Sequence, residues 1–157
     1  MQSSARDWLD SFQFNYFVTA VFNCQTSEQS AKSALKKWHS RVDRQLLGPK
    51  WSCKATSERT FFVAFEEHPD SNRHYHLMLH ANQPTTFEEV AETTWLKIIP
   101  SGALDVQPLA TNTDKMRTTG YSTKGLWQKQ SLNNFIVSTE FSNQSIDEDQ
   151  SQFQRLA

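Results

Sequence analysis

The chain has only two cysteines in 157 residues, Cys24 and Cys53. Two are too few for a disulfide framework, and they lack the C-x-x-C spacing of a metal or redox motif. A reducing intracellular compartment is therefore the expectation, bacterial cytoplasm or eukaryotic nucleus. Long apolar runs are also missing. The longest, YFVTAVF and FFVAF, are strand-sized, well short of the roughly 20 residues that span a bilayer. The opening MQSSARDWLDSF contains no apolar core of a signal peptide. No G-x-x-x-x-G-K-[ST] segment is present, which excludes a P-loop ATPase within this chain. No H-E-x-x-H helix is present either, which argues against a zincin-type hydrolase. No internal repeat is evident.

A surplus of charge is lacking too: the formal net charge is −1. The distribution is nevertheless uneven. Lys32, Lys36, Lys37, Arg41, Arg44, Lys50, Lys54 and Arg59 face only Asp43 and Glu58 in the same stretch. A second basic group, Lys115, Arg117, Lys124 and Lys129, surrounds Tyr121. From Glu140 onward the chain is acidic and rich in Gln and Ser, and is expected to form a flexible tail over 142–157. A basic body with an acidic tail can bind phosphate. The plain alternative for 32–44 is a solvated helix face. Candidate DNA contacts are Lys50, Lys54, Arg59, Arg73, Lys115 and Arg117, with Trp51 and Trp127 as candidates for base stacking.

What is present in quantity is aromatic side chain. Eleven Phe and five Trp suffice for a packed sheet. A chain of this length fits one domain and buries roughly 70% of its unfolded surface. Periodicity predicts a strand over 14–23 and a helix from Thr26-Ser27-Glu28 to Gly48-Pro49. It then predicts a hairpin of strands 60–67 and 74–81 across the turn 68–73. Thr85-Thr-Phe-Glu-Glu89 has the form of a capping box, opening a helix to about Trp95. A short strand over 103–109 follows, with Pro108 marking an edge or an end. A helix over about 114–130 and a last strand over 133–141 complete the order. The predicted class is α+β: an antiparallel sheet of four to five strands with helices mainly on one face.

The chemistry concentrates in HYHLMLH, residues 74–80. Alternation along a strand puts His74, His76 and His80 on one face, and Tyr75, Leu77 and Leu79 on the other. Two imidazoles on one side of a sheet, with a carboxylate from the next strand, make a metal site with open positions. Mixed N/O ligation suits Mn²⁺, tolerates Mg²⁺ and also accepts Zn²⁺, Co²⁺ or Ni²⁺. Glu66 and Glu67 compete for the third position. The set Phe61, Val63, Phe65 and Glu67 is bulkier than Phe62, Ala64 and Glu66, and the bulkier set is expected to pack on the helices. That expectation leaves Glu66 as first choice and Glu67 as second. His80 is read as a half-exposed neighbour of the site.

Tyr121 and Lys124 stand three residues apart, on one side of the predicted helix. A free phenol has a pKa of about 10, so attack on phosphorus needs a nearby cation. Lys124 or a metal can supply it.

The order FVTAVFN (17–23), His74-Tyr75-His76 and Tyr121-Ser-Thr-Lys124 resembles the Rep, or replication-initiator, branch of the HUH endonuclease superfamily. The resemblance covers about residues 14–130. It implies a nuclease domain over 1–141, with His74, His76 and a carboxylate about eight residues upstream, Glu66, as ligands of Mn²⁺ or Mg²⁺. It implies that Tyr121 attacks single-stranded origin DNA, with or without a flanking hairpin. The products would be a 5′-phosphotyrosine link and a free 3′-OH, the first step of rolling-circle replication. Strand joining by the reverse reaction follows. Unwinding would require a helicase in another protein or in a longer precursor of this nuclease domain, and synthesis a polymerase. A small single-tyrosine HUH transposase is the nearest alternative. A relaxase usually places its tyrosine before the histidines, the reverse of the order here. A nucleic-acid-binding module without chemistry is the alternative from a different class.

Overall fold

The computed structural model describes residues 7, 11–68, 70–110 and 135–141. Its elements are β1 (Tyr16–Val21), α1 (Glu28–Leu47), β2 (Phe61–Glu67), β3 (His74–His80), α2 (Pro84–Ile98), β4 (Ala103–Pro108) and β5 (Phe135–Val137). The strands form one five-stranded sheet in the order β4-β1-β3-β2-β5. Each pair of neighbours is antiparallel. This is the α+β architecture that the alternation of elements predicts. β4, with its Pro108, is an edge strand, where a missing N–H breaks no ladder.

Local chemistry sets the element ends. Ser27 caps α1 by accepting the Ser30 N–H at 3.1 Å. Gly48 closes the helix at φ 86°, donating its N–H to Arg44 O at 3.0 Å. α2 starts one residue earlier than expected, at Pro84, and runs on to Ile98. The anticipated capping box at Thr85 is not its start. Pro84 opens the helix because its φ is preset and it has no N–H to satisfy. The last strand is shorter than expected, Phe135–Val137, and passes into a 3-10 turn over Ser138–Phe141. Ser138 Oγ accepts the Phe62 N–H, tying that turn to β2.

Both helices pack on one face of the sheet. That core contains Val18, Ala20, Phe62, Ala64, Tyr75, Leu77 and Leu79 from the strands, and Leu35, Trp38, Val42, Phe87, Ala91 and Trp95 from the helices. Trp38 Nε1 donates to Ala91 O at 2.9 Å and fastens α1 to α2. Trp95 Nε1 reaches Val21 O at 3.2 Å. Gly102 permits this close turn: a Cβ there would lie 2.5 Å from Val21 O and 2.8 Å from Trp95 Nε1.

The opposite face has its own apolar cluster, Phe14, Val63, Phe65 and Met78, flanked by Phe12, Phe17, Phe61, Leu109 and Phe135. The bulky set of β2 is therefore on the histidine face, the reverse of the expectation. The reason is volume. Trp38, Trp95, Tyr75, Phe22 and Phe87 already fill the helix side and are fully buried, so β2 contributes small Ala64 there. Among the described residues, no helix is long and apolar enough to cross a membrane.

Candidate metal centre

The β2–β3 register pairs Glu67 directly with His74, and Phe65 with His76. Glu67 thus shares a face with both histidines. One carboxylate oxygen, Oε2, lies 3.3 Å from His74 Nε2 and 3.2 Å from His76 Nε2. Ligands that share a metal at about 2.1 Å sit roughly 3–3.5 Å apart, so Glu67 Oε2 stands at coordination spacing from each histidine.

The donors' other contacts orient their rings. His74 Nδ1 is 2.9 Å from Asn72 O. A carbonyl only accepts, so Nδ1 carries a hydrogen there and Nε2 is the atom turned toward Glu67. His76 Nδ1 lies 3.2 Å from Thr19 Oγ1, which lets β1 orient the ring from behind. Phe17 stacks on the same ring, with centroids 5.4 Å apart and planes 10° apart. Burial pushes the His76 pKa below its ordinary value, the nearby Glu67 carboxylate opposing that shift without cancelling it. The ring is thus neutral at neutral pH, and its Nε2 lies within hydrogen-bond distance of Glu67 Oε2. The His74 and His76 rings are nearly perpendicular, 89°, with centroids 4.9 Å apart.

His68 extends the set. It follows Glu67 directly, in the left-handed backbone region at φ 50°, and its ring lies 5.2 Å from that of His74. The ligand atoms of Glu67, His68 and His74 all lie within 4.8 Å of one another. Reading the sequence missed His68 because it falls in a turn. The signal was available in the hairpin register, which sets the residue after Glu67 beside the residue before His74. The cluster is partly buried, with His68 exposed, so it can hold a divalent ion and leave positions for an incoming ligand.

Glu66 requires a correction. It points to the helix side and forms an ion pair with Arg73, both side chains at most 10% exposed. Arg73 also donates from Nε to Thr26 O at 3.1 Å. Neither the preferred carboxylate nor this candidate DNA contact faces the histidines. Together they pin the β2–β3 turn to the loop before α1. Arg59 is also turned inward, 6% exposed. Its guanidinium donates to Lys54 O and Ser52 O and lies over the Trp51 ring. Burial of these arginines answers the same need: carbonyls of irregular loops that lack ladder partners. Lys54 is 3.9 Å from Glu58. Lys50 is exposed and Trp51 half-buried. His80 stands at the far end of the histidine face, between Gln13 O at 2.7 Å and Asn82 Oδ1 at 2.9 Å. Tyr121, Lys124, Lys115, Arg117 and Trp127 lie outside the described residues, as does the predicted 114–130 helix.

Of the three tyrosines in the chain, two are enclosed on the helix side. Tyr16 donates to Pro84 O at 3.0 Å. Tyr75 is 1% exposed, and burial pushes its pKa up to about 12. Comparison of the chain with protein-family models, with curated proteins and with solved structures returned no match.

Proposed function

We propose that this chain is a metal-dependent single-stranded DNA endonuclease and strand transferase of the HUH Rep type, with Tyr121 as its nucleophile. The observation that carries the proposal is the single Glu67 oxygen set between His74 Nε2 and His76 Nε2 on the face of the sheet away from the helices. Glu67, His74 and His76 would hold the ion, with Mn²⁺ or Mg²⁺ as the expected occupant, and His68 stands within reach as a further donor. A bound divalent ion supplies charge neutralisation at a non-bridging phosphate oxygen.

The chain's own residues do the rest. Asn72 O and Thr19 Oγ1 fix the imidazoles so that their Nε2 atoms converge. The Tyr121 oxygen attacks phosphorus, a Tyr–O–P bond forms, and the bond to the 3′ oxygen breaks. The phenolic proton is balanced by the proton that the departing 3′-OH gains. Lys124 lowers the cost of phenolate formation. One phosphodiester replaces another, so a second 3′-OH can run the step backwards and join strands. Enclosure of Tyr16 and Tyr75 supports Tyr121 as the attacking group, since it is the remaining tyrosine. Initiation of rolling-circle replication is the role this chemistry fits.

The test is a denaturing gel. Wild-type protein, Mn²⁺ and single-stranded oligonucleotides should give an SDS-resistant protein–DNA band, and Tyr121→Phe should give none while still binding DNA. A Tyr121→Phe protein that forms the band overturns the nucleophile. A wild-type protein that never forms it, across metals and substrates, leaves the non-catalytic binding module as the better reading.

A further inference from the structure

α1 turns a basic face away from the sheet. Lys32, Lys36, Lys37, Arg41 and Arg44 are all exposed, while Ala31, Leu35, Trp38 and Val42 of the same helix are buried. The one acid among them, Asp43, is 0% exposed and accepts the Thr60 N–H at 3.0 Å. Its charge is thus turned into the core. Among the described residues none of the five cations is in an ion pair. At the helix start, Glu28 and Glu140 line a cleft of about 630 Å³ with Lys32 and Lys36.

The cations are arranged in two rows. At about 100° per residue, Lys32 and Lys36 fall on one side of the exposed arc in the first half of the helix, and Lys37, Arg41 and Arg44 on the other side from its middle onward, so the two rows are staggered along the axis. Between them stand Gln29, Ser33 and Ser40, small or neutral polar residues. Lys32 to Arg44 spans about 18 Å of helix axis, roughly half a turn of duplex. This face lies behind the sheet, on the helix layer, so it cannot lead a strand to the Glu67 cluster on the opposite side.

We propose that the outer face of α1 docks on the sugar–phosphate backbone of double-stranded nucleic acid, with its two cationic rows on the two phosphate walls of a groove. Charge complementarity selects a polyanion. Two rows with an uncharged floor between them suit a groove about 12 Å wide better than a single extended strand. An anionic membrane is disfavoured, because a surface-lying helix must insert an apolar face, and that of α1 is buried in the core. The site neither uses Tyr121 nor needs a metal, so it stands or falls apart from the nicking reaction.

The experiment is fluorescence anisotropy of the full chain in EDTA, with a short blunt duplex, a single strand of the same sequence, and phosphatidylserine vesicles. The triple substitution Lys37→Glu, Arg41→Glu, Arg44→Glu should weaken duplex binding by more than about tenfold. It should also flatten the log–log salt dependence by about 0.9 for each phosphate that the helix no longer neutralises. A neutral counterpart, Lys37→Gln, Arg41→Gln, Arg44→Gln, should weaken binding less, and both should keep the wild-type melting profile. Single-strand binding should change far less than duplex binding. Unchanged duplex affinity in both variants overturns the proposal. So does equal loss on duplex and single strand, or wild-type binding of vesicles in preference to duplex.

Discussion

The two faces of the sheet are built from the same five strands and solve opposite problems. On the helix side polar groups that enter the core are joined to other groups of the chain. Trp38 Nε1 meets Ala91 O, Gln45 Nε2 meets Thr94 Oγ1, Asp43 Oδ1 meets the Thr60 N–H, and Glu66 meets Arg73. On the other side, Glu67 Oε2 stands between two imidazole nitrogens, with the exposed His68 ring within reach. Donors of metal-binding type gathered around one partly exposed oxygen mark a ligand site better than conspicuous residue types do. If the faces differ in this way, substitutions should separate stability from binding.

The largest expected effect is on the helix side. Trp38→Ala empties a site that is 0% exposed and removes the α1–α2 hydrogen bond. It should cost about 3–5 kcal/mol, read from urea unfolding. A loss under about 1 kcal/mol would erase the contrast between the faces. Arg73→Ala comes next. It strands the Glu66 carboxylate on the helix side and should cost about 3 kcal/mol or more by the same measurement. Retention of full stability would mean that the pair is not formed in solution.

A pH titration sharpens the comparison further. His39 on the helix side is buried, and burial holds its pKa below the ordinary value, with Asp43 pulling the other way. Its ring makes a 2.7 Å hydrogen bond to Thr60 O. In the unfolded chain it titrates near about 6.5. The unfolded state therefore binds the proton first as pH falls, and stability should drop as pH passes below that value. His76 is shifted the same way and adds to the trend. A urea midpoint constant from neutral pH into the acid range would contradict both. The smallest effect should come from Glu67→Gln, within about 1 kcal/mol of wild type, because the side chain is partly exposed and the isosteric amide opens no cavity. A large loss of stability would place Glu67 among the structural pairs.

What the sequence disclosed follows the same division. β3 was legible because Tyr75, Leu77 and Leu79 alternate with three histidines, a strong polar–apolar contrast. β2 was legible as a strand but its facing was not, because FFVAF is apolar on both faces and alternation carries no sign. Side-chain bulk then misled, since the volume available on the helix side was set by Trp38 and Trp95, which are distant in sequence. His68 was hidden by its turn position, and the inward course of Arg59 and Arg73 by loop carbonyls that no local pattern announces. Edge placement of β4 was legible from Pro108 alone, because proline constrains the ladder locally.

The most direct test of the histidine face is calorimetric titration of Mn²⁺ into wild-type protein and into Glu67→Gln, His74→Ala and His80→Ala. Wild type should bind one ion per chain. Glu67→Gln and His74→Ala should weaken binding by at least about tenfold, in line with loss of a ligand, and His80→Ala, at the other end of the same face, should bind as wild type does. Undiminished Mn²⁺ binding by a folded Glu67→Gln protein would contradict the account.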